Sequence, residues 1–141
     1  MKVRYDNTTN SVDWQQVSEL FKSVGWAERT PEQLKKAFNA SSFKYFAYHE
    51  TELIGVGRTV DDGCFYAWIV DLAIHPKYQD LKIGKTILSK LETNLSSYIT
   101  TMLTAAPGKS GFYEKLGWEK QRSAYIFPRS EEQLKEFVFP E

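Results

Sequence analysis

The chain has 141 residues, 42% of them hydrophobic and 15% aromatic, the size and apolar content of one domain with a core of its own. Eighteen basic residues balance eighteen acidic ones, so there is no cationic excess of the kind that draws a protein to nucleic acid. A single cysteine, Cys64, excludes an internal disulfide and suits a reducing, cytoplasmic setting, and no apolar run approaches the length of a membrane span.

Residues 2–6 (KVRYD) alternate weakly before the turn-rich NTTNS and read as a short first strand. From Asp13 onward, Trp14, Val17, Leu20, Phe21 and Val24 recur at helical spacing, with Asp13 placed to cap the helix and Gly25 to stop it. Thr30-Pro31-Glu32-Gln33 joins a capping box to a proline at the first helical position, and Leu34, Ala37 and Phe38 share one side of a second helix reaching about Asn39. Residues 43–49, 52–60 and 65–74 are rich in aromatic and β-branched side chains, and Asp62-Gly63 is a hairpin signal, so these three segments are expected to form an antiparallel meander. The third is apolar apart from Asp71, which predicts a central strand covered on both faces and leaves its one charge in need of an explanation. Cys64, at its start, reads as a small buried hydrophobe with no role.

After His75-Pro76 the period becomes helical, with Ile83, Ile87, Leu88, Leu91 and Leu95 on one side through about Ser97. Residues 99–104 read as a strand, 108–116 as a short helix and 118–127 as one or two final strands, and Ser130-Glu131-Glu132-Gln133 caps a last short helix before Pro140. A meander followed by a strand, helix, strand crossover predicts a mixed α+β sheet with helices on both faces, in a single domain over 1–141.

The chemistry concentrates in DLAIHPKYQDLKIGKTIL, residues 71–88, where a buried strand leads through a short basic loop into a helix. Unpaired N–H groups and the dipole at that helix start can hold a phosphate, and Lys77, Lys82 and Lys85 add charge. Taken alone, three lysines on a loop are better read as an ordinary solvated surface. The string HPKYQDLKIGKTIL, however, resembles the acetyl-CoA-binding motif of the Gcn5-related N-acetyltransferases (GNAT), Gln/Arg-x-x-Gly-x-Gly/Ala, with Gln79 and Gly84 in the first and last places. Lys82 replaces the first glycine; if φ must be positive there, it costs on the order of 1 kcal/mol, which alters affinity rather than abolishing it. Downstream, APGKSGFYEKLGWEK, residues 106–120, resembles the family's second signature in Phe112-Tyr113 and Gly117-Trp118. From Lys2 to Phe127, element order and both motifs are similar to the small bacterial and plastid members related to plant serotonin acetyltransferases.

The resemblance implies a GNAT-like, mostly antiparallel central sheet and an enzyme that moves an acetyl group from acetyl-CoA to a primary amine of a small molecule or of a lysine side chain. It implies that backbone amides of Leu72, Ala73 and Ile74 serve the oxyanion and the pantetheine arm. The loop of Gln79, Asp80, Leu81, Lys82, Ile83, Gly84 and Lys85 would cradle the pyrophosphate, with Lys109 and Phe112 also at the cofactor. Tyr113 matches the tyrosine that protonates the departing sulfur. A primary amine is almost wholly protonated at neutral pH, so a base is needed. Asp71 either fills that role, directly or through water, or simply hydrogen-bonds its neighbours; Glu28, in the loop that covers the acceptor site in the family, is the reserve. Trp26, Phe65, Tyr66, Trp68 and Tyr125 either line an aromatic acceptor pocket or pack as core. Glu28, Asp61, Asp62 and Asp71, neighbours by topology, predict a cationic acceptor. His49 and His75 lie far apart and match no zinc spacing, so no metal is expected. Nucleic acid and membrane are not expected partners, and a homodimer is left open. A second reading keeps the fold as a non-catalytic module that senses acyl-CoA or binds a partner, with Lys82 as the sign of a drifted loop; Tyr113 argues against it.

Overall fold

A computed structural model describes residues 1–140, which divide by internal packing into two compact units, Met1–Leu103 and the segment from Thr104 onward. In the first unit, α1 (Trp14–Ser23) starts where Asp13 accepts a hydrogen bond from the Gln15 amide, and α2 (Pro31–Ala40) starts on the Thr30–Gln33 capping box with Pro31 in its first turn. Both caps satisfy amides that a helix start leaves unpaired. The strands are β1 (Arg4–Asp6), β2 (Lys44–His49), β3 (Glu52–Asp61), β4 (Tyr66–Ile74) and β5 (Thr100–Leu103), arranged in sequence order in one sheet. The first four are antiparallel, whereas β4 and β5 are parallel, joined through a 3-10 helix (Pro76–Leu81) and α3 (Ile83–Asn94). Parallel neighbours require such a crossover.

Alternation along β3 divides the core between the two faces of the sheet. Val56 joins Phe46, Leu53 and Ala73 beneath Val17, Leu20, Phe21, Leu34 and Phe38 of α1 and α2. Each of these large side chains contributes about 1.5–3 kcal/mol on burial. On the opposite face, Gly55 and Gly57 let α3 approach closely: a Cβ built on Gly57 would lie 2.7 Å from Ile87 and 3.2 Å from Leu72, and one on Gly55 would lie 2.8 Å from Ile74. Ile83, Ile87, Leu88 and Leu91 are fully buried there. Helices therefore cover both faces, as the periodicities imply.

β4 departs from its expected coverage. Ala67 and Ile69 are buried, but Tyr66 and Trp68 on the other side are 59% and 41% exposed. The run YAWIV is apolar on both sides, so composition cannot reveal that only one side of its first half is covered. Cys64 is likewise exposed rather than buried, because it falls in the β3–β4 turn, where Asp62 accepts from the amides of Cys64, Phe65 and Tyr66.

In the second unit, α4 spans Ser110–Lys115 and α5 spans Glu131–Gln133, the latter capped by Ser130 and continued by a π turn over Leu134–Val138. Residues 118–127 form no strand, correcting the expectation of one or two. Their aromatic content favours extended chain, but a strand persists only when a ladder pairs its N–H and C=O groups, and Tyr125 is 94% exposed.

Candidate active site

Site construction begins with a bulge. Val56 pairs with Ala73 and Arg58 with Val70, so Asp71 and Leu72 together face Gly57 alone. Asp71 has φ 55, a left-handed conformation that aspartate tolerates better than the apolar residues around it. Such a bulge bends its strand, and β4 pairs with β5 only over Tyr66–Ile69, leaving the edge from Val70 onward without a strand neighbour on that side among the described residues. The His75 amide donates to the Ile54 carbonyl at 2.8 Å, so by alternation the amide and carbonyl of Ile74 face away from β3. Gln79 Nε2 donates to that carbonyl at 3.1 Å, tying the following loop to the strand end.

The loop that follows leads through a 3-10 helix into α3. His75 Nδ1 accepts from the Lys77 amide and so caps the 3-10 helix. Lys82 then adopts φ 61, the left-handed conformation a glycine would take without strain, and turns the chain into α3. No side chain caps α3, and its first backbone bond runs from the Thr86 amide to the Lys82 carbonyl at 3.0 Å. The amides of Ile83, Gly84 and Lys85 thus find no partner among the described residues in the first turn, where the dipole is positive. A shallow groove of about 420 Å³ along this helix is lined by Lys82, Lys85, Thr86, Ser89 and Lys90. Free amides, a free strand edge and flanking lysines fit a phosphate-bearing, amide-containing cofactor such as acetyl-CoA. Asp80 and Leu81 are exposed within the same loop.

Asp71 is held by two arginines. Its side chain is 9% exposed; Oδ1 accepts from Arg29 Nη1 at 2.9 Å and Oδ2 from Arg58 Nε at 2.7 Å. Arg58 also donates to Ser41 Oγ and to the Ala37 carbonyl at the end of α2. Sequence reading named neither arginine. The signal was present in the apolar strand itself, because a carboxylate there needs a cation, and Arg58 lies on the adjoining strand. Glu28, in contrast, is exposed in the α1–α2 loop, 3.4 Å from Lys22.

The remaining acids do not gather with Asp71. Asp61 and Asp62 close the β3–β4 turn, before β4 begins, while Asp71 lies near its far end. Burial alone would raise the Asp61 pKa, but hydrogen bonds from Ser42, Thr59 and the Gly63 amide outweigh it and hold the carboxyl below the usual range. Tyr66 and Trp68 join Val60, Asp61, Asp62, Ala67, Thr100 and Met102 around an open groove of about 340 Å³. Trp26 stacks on Phe21 with ring centroids 5.1 Å apart and packs against the core, whereas Phe65 and Tyr125 are exposed. His49 and His75 flank the Tyr78 ring, whose hydroxyl donates to Glu52.

Within the second unit, Lys109 precedes α4, and Tyr113 stands edge-on to Phe112 and Trp118. Gly117, at φ 93, ends the helix, with the Gly117 amide donating to the Glu114 carbonyl and the Trp118 amide to the Tyr113 carbonyl, a Schellman closure. Burial pushes the Tyr113 phenol above its ordinary pKa, so it stays protonated and able to donate.

Residues 10–128 match the family model of the acetyltransferase (GNAT) domain. The uncharacterized N-acetyltransferase ycf52 of Porphyra purpurea is 31% identical over 139 residues, covering 92% of this chain and 80% of the relative. Serotonin N-acetyltransferase 2, chloroplastic, of rice is 26% identical, covering 90% and 68% respectively. The GNAT family acetyltransferase SP0256 of Streptococcus pneumoniae shares the fold, with a TM-score of 0.77 over 92% of this chain and all of that one, at 24% identity. By the span of the family match and by the identity to its relatives, the chain belongs to the GNAT family of N-acetyltransferases.

Proposed function

We propose that the chain acetylates a primary amine with acetyl-CoA as donor, its two units acting as one acetyltransferase domain. The observation that carries the donor assignment is the start of α3: amides of Ile83, Gly84 and Lys85 without partners among the described residues, beside Lys82 and Lys85, next to a strand edge open beyond the bulge. Acetyl-CoA supplies an activated acyl thioester. The first-turn amides of α3 bind its pyrophosphate, and the outward-facing amide of Ile74 donates to its amide-bearing arm as a strand neighbour would. Of the strand-end amides expected to serve the developing oxyanion, that of Ile74 faces away from β3, whereas the same alternation turns that of Ala73 toward it. Lys109 and Phe112 complete the cofactor set by motif, and Tyr113 returns a proton to the sulfur, as its raised pKa suits.

For the amine's proton, geometry favours Glu28 over Asp71. Both Asp71 oxygens are already occupied by guanidinium donors, so neither is turned toward an incoming amine, whereas Glu28 is exposed on the α1–α2 loop. The groove floored by Tyr66, Trp68 and Met102 and rimmed by Asp61 and Asp62 suits an amine with an apolar or aromatic body. Trp68 lies three residues before Asp71, about 10 Å along the strand.

Calorimetric titration with acetyl-CoA, followed by thiol release over a panel of arylalkylamines, polyamines and lysine peptides, tests the proposal. Saturable binding with amine-dependent release is expected. Absence of heat on titration would overturn the donor site, and tight binding without release on any amine would favour the acyl-CoA-sensing module.

A further inference from the structure

The loop between α1 and α2 has one polar tie to the sheet among the described residues, the Arg29–Asp71 pair. We infer that Arg29 is a positioning residue, fastening this loop through Asp71 to the β4 bulge and so fixing the acceptor amine relative to the strand-end amides. The inference rests on the acetyltransferase reading above.

Arg29 is held from three directions. Its carbonyl accepts from the buried Ser18 hydroxyl at 2.9 Å, which roots the loop on α1. Its guanidinium lies over the Phe21 ring at 5.0 Å and the Trp26 ring at 5.9 Å, and those two rings stack on each other. The same planar group then donates Nη1 to Asp71 at 2.9 Å. Asp71 is itself immobilised: Arg58 occupies its other oxygen, and its own backbone is the left-handed residue of the bulge that opens the strand edge. A movement of the bulge therefore moves the carboxylate, and with it the loop that carries Glu28, the residue before Arg29. Lysine cannot reproduce the arrangement, because a point charge neither stacks flat on an aromatic ring nor keeps a fixed fork toward a carboxylate. Arg29 remains 39% exposed at its side chain, so water screens the pair and its value lies in orientation more than in stability.

The test uses the full chain and three readouts: acetyl-CoA affinity by calorimetry, kcat and KM for the amine, and hydrogen exchange of residues 24–30. In Arg29→Met, exchange in that segment should accelerate at least about tenfold as the loop detaches locally, with the sheet unaffected. The amine kcat/KM should fall at least about tenfold while acetyl-CoA affinity stays within about twofold. Arg29→Lys should recover less than half of the loss, since charge alone does not restore the stack. Unchanged exchange would overturn the latch. Accelerated exchange with unchanged kcat/KM would overturn the positioning role. Failure of the wild-type chain to bind acetyl-CoA would instead sink the acetyltransferase reading, with loop exchange still deciding whether the latch exists.

Discussion

Replacing Asp71 by alanine removes the shared partner of two cations in one step, which makes it the sharpest probe of the site. Arg58 is 15% exposed at its side chain and donates to Asp71 at 2.7 Å, so it would be left as a nearly buried, uncompensated charge, at a cost of about 2–3 kcal/mol. Arg29 is more exposed and screened, and its lost pair costs at most about 1 kcal/mol. Alanine also tolerates φ 55 less well than aspartate, adding a few tenths. The expected loss is about 3–4 kcal/mol, read in urea denaturation as a lower midpoint at unchanged slope. Asp71→Asn keeps the shape and one acceptor oxygen and should lose about half as much. A loss under about 1 kcal/mol for the alanine variant would refute the clamp. The same asparagine variant separates clamp from base: the rising alkaline limb of the rate should persist, and its flattening would return the base assignment to Asp71.

Tyr113→Phe should lower kcat by about a hundredfold or more with acetyl-CoA affinity within about twofold, measured by steady-state kinetics and calorimetry; an unchanged kcat removes the phenol from the mechanism. Because burial holds the Tyr113 pKa above its ordinary 10.0, no fall in rate below pH 10 should trace to this residue. Gly57→Ala would press a methyl to 2.7 Å from Ile87 and should cost about 1–3 kcal/mol in thermal stability, with weaker acetyl-CoA binding as α3 is displaced. Asp61, whose pKa is lowered in the folded chain, contributes stability that is fully present above 3.8 and is lost as pH falls through its depressed value. Asp61→Asn should therefore flatten the acid side of the stability profile in that window while leaving the alkaline side unchanged.

Local rules carried most of the chain. The Asp13 cap, the Thr30–Gln33 box, the Asp62-Gly63 turn and the helical stripe from Ile83 to Leu91 are each decided within a few residues, by hydrogen bonds or periodicity that short-range geometry enforces. The two acetyltransferase motifs were legible for the same reason: each is a contiguous turn before a helix, and even the positive φ at Lys82 follows from its place in the motif.

Pairings between distant segments were decided only by the tertiary structure. Residues 118–127 have the composition of strands, yet no ladder receives them, since strand identity depends on a partner that propensity does not specify. Tyr66 and Trp68 could be read as core or as pocket lining and the fold makes them line a groove, because coverage of a sheet face is set by where the helices lie. Asp71 was conspicuous from the sequence as a charge among apolar neighbours, but the nature of its role was not. One extra residue in β4 opposite Gly57 turns its side chain toward Arg29 and Arg58, which lie 42 and 13 positions away, and register across strands is a property of the assembled sheet.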